Sequence, residues 1–160
     1  MVSWPARSEI IKVNAFSSFP SNLPRITAAC QNSYQVEAGD VLAMIENLKE
    51  IRSIDELNRA LEESNERPVL LFKHSLTCPI SARAFNEFRS YLQSSGSRIS
   101  ANLITVQTAR SVSDETAARL SLQHHSPQAI LVRNGREMWN ASHFSITAAA
   151  LQDAINNFSD

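Results

Sequence analysis

The sequence predicts an α/β domain with a mixed central sheet and flanking helices, preceded by an N-terminal extension. Beyond the first quarter of the chain, short apolar runs alternate with segments whose apolar residues recur at helical spacing, as in layered α/β domains. Asn134-Gly135 lies between two strand-like runs, which predicts a terminal β-hairpin. The 160 residues are 43% hydrophobic, which suits one domain of ordinary size.

The N-terminal extension is predicted at residues 1–43 and the folded domain at residues 44–160. Prolines and serines interrupt any sustained period in the extension, so we expect it to be weakly structured. Val41–Lys49 has the apolar spacing of a helix, although its end could instead form a short strand. From Met44 onwards the predicted order of elements is (β)αβαβαββα.

The first firm helix signal is the capping box Ser53-Ile54-Asp55-Glu56. In this motif the serine accepts a hydrogen bond from the third helical amide, and the glutamate reaches back to the amide of the serine. The apolar stripe that follows predicts a helix through about Ser64. After Pro68, the continuously apolar run Val69–Phe72 predicts a central strand that is covered on both faces.

A short loop is predicted at His74–Thr77, between this strand and the next helix. Pro79 begins that helix, because proline in the first turn loses no hydrogen bond. Apolar residues recur at helical spacing as far as about Ser94, and Gly96 ends the helix. The following strand is predicted at Asn102–Thr108.

The last third of the chain is predicted to contain a helix, a hairpin and a final helix. Ser113 is expected to cap the first of these helices, with Asp114 and Glu115 in its first turn. The remaining predicted elements are a strand at Ala129–Val132, a return strand at Arg136–Ala141 and a helix at Thr147–Phe158.

Composition argues against several classes of function. The 15 Lys+Arg nearly balance the 16 Asp+Glu, so the chain lacks the basic surplus of a general nucleic-acid binder. Its three glycines are too far apart for a dinucleotide or P-loop fingerprint. Two cysteines are too few for a disulfide scaffold or a four-ligand zinc site. Since the sequence also shows no membrane span and no secretory signal, we expect a cytoplasmic protein without nucleic-acid, membrane or metal partners.

Cys78 is the candidate reactive residue. It follows a predicted central strand and a short loop, and it precedes a helix whose free amides and dipole stabilise a thiolate. The alternative is a small buried hydrophobic residue, but the polar neighbours and the following proline favour a reactive thiol. The residue three positions later is Ser81, so the site cannot close a C-x-x-C disulfide. A mixed disulfide at Cys78 then needs an outside thiol for its release. Cys30 is the alternative resolving thiol, but it lies in the weakly structured extension and its reach is unspecified.

Four segments resemble the YtxJ-type monothiol bacilliredoxins, in the same order along the chain. They are Lys73-His74-Ser75 with Thr77-Cys78-Pro79-Ile80-Ser81, Ser126-Pro127-Gln128-Ala129, Val132-Arg133-Asn134-Gly135, and Ala141-Ser142-His143. The likeness covers about Met44 to Asp160. It implies a thioredoxin-like fold, and it implies a cis proline at Ser126–Pro127 that faces the thiol.

The resemblance also implies the chemistry. Cys78 would be the nucleophile of an oxidoreductase that reduces mixed disulfides between proteins and a low-molecular-weight thiol, either bacillithiol-like or glutathione. That thiol is the co-substrate, and no metal or organic cofactor is required. The residues expected to shape the site or bind the substrate are Thr77, Pro79, Ile80, Ser81, Ser126 and Pro127.

Two other functions remain open at this point. In the first, two copies carry an iron–sulfur cluster, ligated by Cys78 and an external thiol, as in monothiol glutaredoxins. In the second, the chain is a non-catalytic thioredoxin-fold interaction module. His74 either supports the thiolate or is a solvated strand end, whereas His143 is expected to hydrogen-bond the turn before the last helix. His124-His125 has no further ligand at metal-binding spacing.

Overall fold

The computed structural model describes residues 48–95 and 99–158 of the protein. The predicted extension at 1–43, the boundary at Met44, Cys30 and the helix-ending Gly96 all lie outside the described residues. They stay predictions.

Within the described residues the chain alternates between strands and helices, with a hairpin and a helix at its end. The elements in chain order are β1 (Leu48–Glu50), α1 (Ile54–Glu63), β2 (Val69–His74), α2 (Pro79–Ser95), β3 (Ser100–Thr105), α3 (Arg110–Arg119), β4 (Gln128–Arg133), β5 (Arg136–Ser142), a short 3₁₀ turn (His143–Ser145) and α4 (Ala148–Phe158).

The five strands form one mixed sheet in the order β1-β3-β2-β4-β5. β3 runs parallel to both β1 and β2, whereas β4 runs antiparallel to β2 and to β5. Every residue of the central strand β2 is buried. This explains its unbroken apolar run and confirms the predicted mixed sheet with flanking helices.

The core has two parts, one on each face of the sheet, because alternate residues of each strand point to opposite sides. On one face, Phe72 and Leu131 pack with Phe88 of α2 and Leu151 of α4. On the other face, residues of α1 and α3 cover the alternate positions of β2 and β4; this cluster includes Leu57, Leu71, Val112 and Ile130. Cys78 begins the helix that covers the first of these faces.

The strongest local signals are confirmed. Ser53 Oγ accepts a hydrogen bond from the amide of Glu56, and the Glu56 carboxylate accepts one from the amide of Ser53, so the capping box is complete. Asn134 and Gly135 both have positive φ, at 53° and 68°, as a type I′ hairpin turn requires. The C-terminal helix begins at Ala148, one residue later than predicted, because Thr147 Oγ1 caps it by accepting from the amide of Ala150.

Two strands have bounds that differ from the prediction, and one ambiguous segment is decided. β2 continues through His74, which the sequence predicts to lie in the loop, because Lys73 and His74 extend the ladder with β3. β3 is Ser100–Thr105 instead of Asn102–Thr108. It ends early because the amides of Thr108 and Ala109 turn back to the carbonyl of Thr105. The ambiguous end of Val41–Lys49 is a strand where the structure describes it, since Leu48 begins β1.

The predicted cap at Ser113 was also wrong. α3 begins after Ala109, which caps it without a side-chain hydrogen bond. Ser113 lies inside the helix and is fully buried, and its amide donates to the carbonyl of Ala109. Its hydroxyl lies 3.5 Å from His124 Nδ1. Ser113 is therefore an interior residue of the helix and does not cap it.

Candidate active site

The two segments singled out by sequence lie at one end of the sheet. β2 leads into residues 75–77 and Cys78, whereas Ser126 and Pro127 immediately precede β4. Lys73 of β2 pairs with Gln128 of β4, so the end of β2 lies beside the beginning of β4. The Ser126–Pro127 peptide bond is cis, as predicted. Contact between Pro127 and the thiol stays a prediction.

Cys78 is a free, half-buried cysteine directly before the first residue of α2. Its carbonyl accepts a hydrogen bond from the amide of Ala82 at 3.0 Å, so Cys78 is the N-terminal cap of the helix. A side chain at this position lies near amides of the first turn that have no partner within the helix. A helix start of this kind is a common position for reactive cysteines.

Ser81 takes the place of the second cysteine and is fully buried. Its hydroxyl oxygen accepts a hydrogen bond from the amide of Ser75 at 2.8 Å and lies 2.9 Å from Nδ1 of His74. Burial lowers the pKa of His74, so the neutral ring is favoured and its Nδ1 can accept a hydrogen bond from the Ser81 hydroxyl. Ser81 therefore joins α2 to the loop that precedes Cys78.

The structure excludes one of the two expectations for His74. The residue is only 8% exposed, so it is not a solvated strand end. Its ring stacks on Phe85 of α2 at a centroid distance of 4.8 Å. Its hydrogen-bond partner is Ser81, so any effect on Cys78 would act through the helix start.

Sequence reasoning missed Gln107, which follows β3. Its Oε1 accepts a hydrogen bond from the amide of Leu76 at 3.1 Å, and its Nε2 donates to Ser75 Oγ at 2.8 Å. The available signal was indirect: β2 and β3 were both predicted strands, and the carboxyl ends of parallel neighbours meet at one edge of a sheet.

The segment after β5 lies against the proline loop. The amide of His143 donates to the carbonyl of Pro127 at 3.2 Å, and the His143 ring packs edge-on against His125. Within the turn before α4 the carbonyl of His143 accepts from the amide of Ile146 at 3.4 Å, whereas a role for the His143 side chain there stays a prediction. Phe144 is 61% exposed, and the guanidinium of Arg83 lies 5.4 Å from the centroid of its ring.

Lys73 is a second feature that sequence reasoning did not weigh. Its side chain is fully buried, and Nζ has no hydrogen-bond partner in the described part of the chain. Burial lowers the pKa of Lys73 to about 8, against an opposing attraction from Asp114. Gln128, its partner across the strands, also has a buried Oε1 without a hydrogen bond among the described residues. This cation lies on the sheet face covered by α1 and α3, since Lys73 alternates with His74 along β2.

The described residues contain no cluster of three or more His, Cys, Asp or Glu side chains that could hold a metal ion. Among them, too, no helix is both long enough and apolar enough to span a bilayer.

The sheet order, the helix-capping cysteine and the cis proline loop define the class: a protein with a thioredoxin fold. The solved structures agree. A candidate oxidoreductase with a thioredoxin fold is 34% identical, with a TM-score of 0.62 over 68% of this chain and 93% of that one. Thioredoxin from Malassezia sympodialis is 15% identical, with a TM-score of 0.58 over 71% and 91%. A thioredoxin variant from Halobacterium salinarum is 13% identical, with a TM-score of 0.58 over 72% and 94%. The last two matches show the fold alone.

The family follows from a sequence model. The family model described as monothiol bacilliredoxin BrxC matches residues 49–151. The chain therefore belongs to the monothiol bacilliredoxin BrxC family, which confirms the resemblance noted from the sequence.

Proposed function

We propose that the protein is a monothiol thiol–disulfide oxidoreductase, with Cys78 as its nucleophile. Its substrates would be mixed disulfides between protein thiols and a low-molecular-weight thiol. The observation that carries the proposal is the half-buried Cys78 at the start of α2, with the buried hydroxyl of Ser81 in place of a second thiol. Such a site can attack a disulfide but cannot release the product by itself.

The reaction would take two exchanges. In the first, the Cys78 thiolate attacks the small-thiol sulfur of the mixed disulfide, forming a sulfur–sulfur bond to Cys78 while the protein thiolate leaves and takes a proton from water. In the second, the thiolate of another small-thiol molecule attacks that sulfur. The two small-thiol molecules leave together as their symmetric disulfide, and the Cys78 thiolate is restored. The net electron pair comes from the external thiol, which is oxidised as the protein disulfide is reduced.

The surrounding residues would support this chemistry in different ways. The amides of Ile80 and Ser81, in the first turn of α2, are placed to stabilise negative charge on the sulfur. Pro79 begins the turn without leaving an amide unsatisfied, and Thr77 immediately precedes Cys78 in the loop. On the opposite segment the carbonyl of Pro127 accepts a hydrogen bond from the amide of His143, and the backbone of Ser126 and Pro127 would pair with the substrate.

The proposed setting is the cytoplasm, where thiols are kept reduced and a free cysteine persists. The small thiol would be bacillithiol-like or glutathione. No metal or organic cofactor takes part in the proposed reaction.

Turnover of a protein mixed disulfide tests the proposal. The substrate is prepared with glutathione and, in parallel, with bacillithiol, each with the matching free thiol as reductant. We expect wild-type turnover with at least one of them and none with Cys78→Ser, whose small polar side chain is tolerable at a helix start. Cys30→Ser is the matched control and should retain wild-type activity. Full activity in Cys78→Ser, or loss of activity in Cys30→Ser, would contradict the proposal.

A further inference from the structure

We infer that Gln107 is a positioning residue, which holds the active-site loop (Ser75–Thr77) in the conformation that receives the substrate. The inference rests on the proposed function, since it assigns a role in the same reaction. It concerns a side chain from a different part of the chain, at the end of β3.

The amide of Gln107 contacts all three residues of the active-site loop. Oε1 accepts from the amide of Leu76 at 3.1 Å, and Nε2 donates to Ser75 Oγ at 2.8 Å and, more weakly, to Thr77 Oγ1 at 3.5 Å. These partners assign the orientation of the amide, because only its oxygen can accept from the backbone amide. A side chain without both a donor and an acceptor could not make this set of contacts.

The backbone of Gln107 is itself well held. The preceding residue, Val106, donates its amide to the carbonyl of His74 at 2.8 Å, which continues the β2–β3 ladder. The following amides of Thr108 and Ala109 bond to the carbonyl of Thr105 at 3.1 and 2.9 Å. Gln107 therefore projects from a fixed turn between β3 and α3.

The active-site loop is held from two sides. On the inner side the buried hydroxyl of Ser81 accepts from the amide of Ser75. On the outer side Gln107 is the side chain that the structure shows hydrogen-bonded to Leu76. Without it, the hydrogen bonds that still hold the loop to the start of α2 are the one to Ser81 and the bond from the Cys78 amide to the carbonyl of Ser75, which is long at 3.5 Å.

The held loop lies where a substrate has to approach the sulfur. Leu76 is 51% exposed, Thr77 is exposed, and Cys78 follows directly. A loop that is ordered before binding loses less conformational entropy when a protein substrate docks. Loosening it should slow the reaction with a protein, whereas a small reagent has only to reach the half-buried sulfur.

Two variants remove the hydrogen bonds. Gln107→Ala removes the side chain, and Gln107→Met keeps its length without a strong donor or acceptor. We expect kcat/KM for the protein mixed disulfide to fall about three- to tenfold in both, from the loss of one or two hydrogen bonds. Alkylation of Cys78 by iodoacetamide should change less than about twofold, because no docking is required. Gln93→Ala, at an exposed glutamine farther along α2, is the matched control and should leave both rates unchanged.

Hydrogen exchange at the amide of Leu76 gives a readout that does not depend on activity. It should speed up about fivefold in both Gln107 variants, as a hydrogen bond of ordinary strength is lost, and stay unchanged in Gln93→Ala. Unchanged exchange, or faster exchange with unchanged turnover, would overturn the role of Gln107 while the proposed function stands. A wild-type protein that reduces no mixed disulfide would instead contradict the proposed function.

Discussion

Replacing the buried cation Lys73 should stabilise the protein at neutral pH. The Lys73 ammonium is fully buried on the α1 and α3 side of the sheet, and Nζ has no hydrogen-bond partner in the described residues. Lys73→Met keeps an unbranched side chain of similar volume and removes the charge. The exposed Asp114 and the half-buried His124 are the titratable groups whose charges couple to it.

The size of the effect follows from the pKa of Lys73, which burial lowers from an ordinary 10.5 to about 8. Because the folded pKa lies below the unfolded one, the unfolded chain binds more protons between these two pH values, and the free energy of unfolding rises with pH there. The free-energy cost of burying the charged Lys73 is complete below pH 8 and disappears above pH 10.5. The difference between the two pKa values corresponds to about 3 kcal/mol. We expect the burial to lower the free energy of unfolding by about 2 kcal/mol, because water penetration and relaxation reduce the cost of a buried charge.

Urea unfolding of the wild type and of Lys73→Met at pH 7, 8, 9 and 10 measures this difference directly. The variant should be more stable by about 2 kcal/mol at pH 7, and the gap should close to within ~1 kcal/mol at pH 10. Lys49→Met is the matched control: its side chain is 60% exposed in an ion pair with Glu63, and such pairs contribute only ~0–1 kcal/mol. A less stable Lys73→Met at pH 7, or a gap that does not change with pH, would refute the reasoning.

Two further predictions concern serines that the structure places in defined hydrogen bonds. Ser81→Cys introduces a second thiol one helical turn from Cys78, so intact mass should show an intramolecular disulfide in place of an accumulated small-thiol adduct; a persistent adduct would count against it. Ser53→Ala removes the capping box, so the midpoint of urea unfolding should fall by an amount equivalent to about 1 kcal/mol. A midpoint equal to that of the wild type would show that the cap does not stabilise α1.

The parts of the fold that sequence predicted well depend on local signals. The capping box at Ser53 and the Asn134-Gly135 turn each need only a few neighbouring residues, and both formed as predicted. The apolar run of β2 identified a central strand for the same reason. Its end at His74 was missed, because Lys73 and His74 look like loop residues until β3 and the helices bury them.

The misses share a different cause, which is dependence on residues distant in sequence. Ser113 resembles a helix cap, yet the fold buries it beside His124, so burial decides its role. Gln107 contacts residues 30 or more positions away, and no pattern around it indicates that. The candidate site was predictable at Cys78 and Ser81, where helix start and spacing are local. The hydrogen bonds that hold the active-site loop were not.

The most direct test of the monothiol account is a single-turnover experiment without external thiol. Wild-type protein is mixed with an excess of a protein–glutathione or protein–bacillithiol disulfide, and the intact mass and released protein thiol are measured together. Because Cys78 has no partner thiol at position 81, we predict that the reaction stops after about one equivalent, with a single small-thiol adduct on Cys78. Release of several equivalents, or an adduct on any residue other than Cys78, would contradict the account.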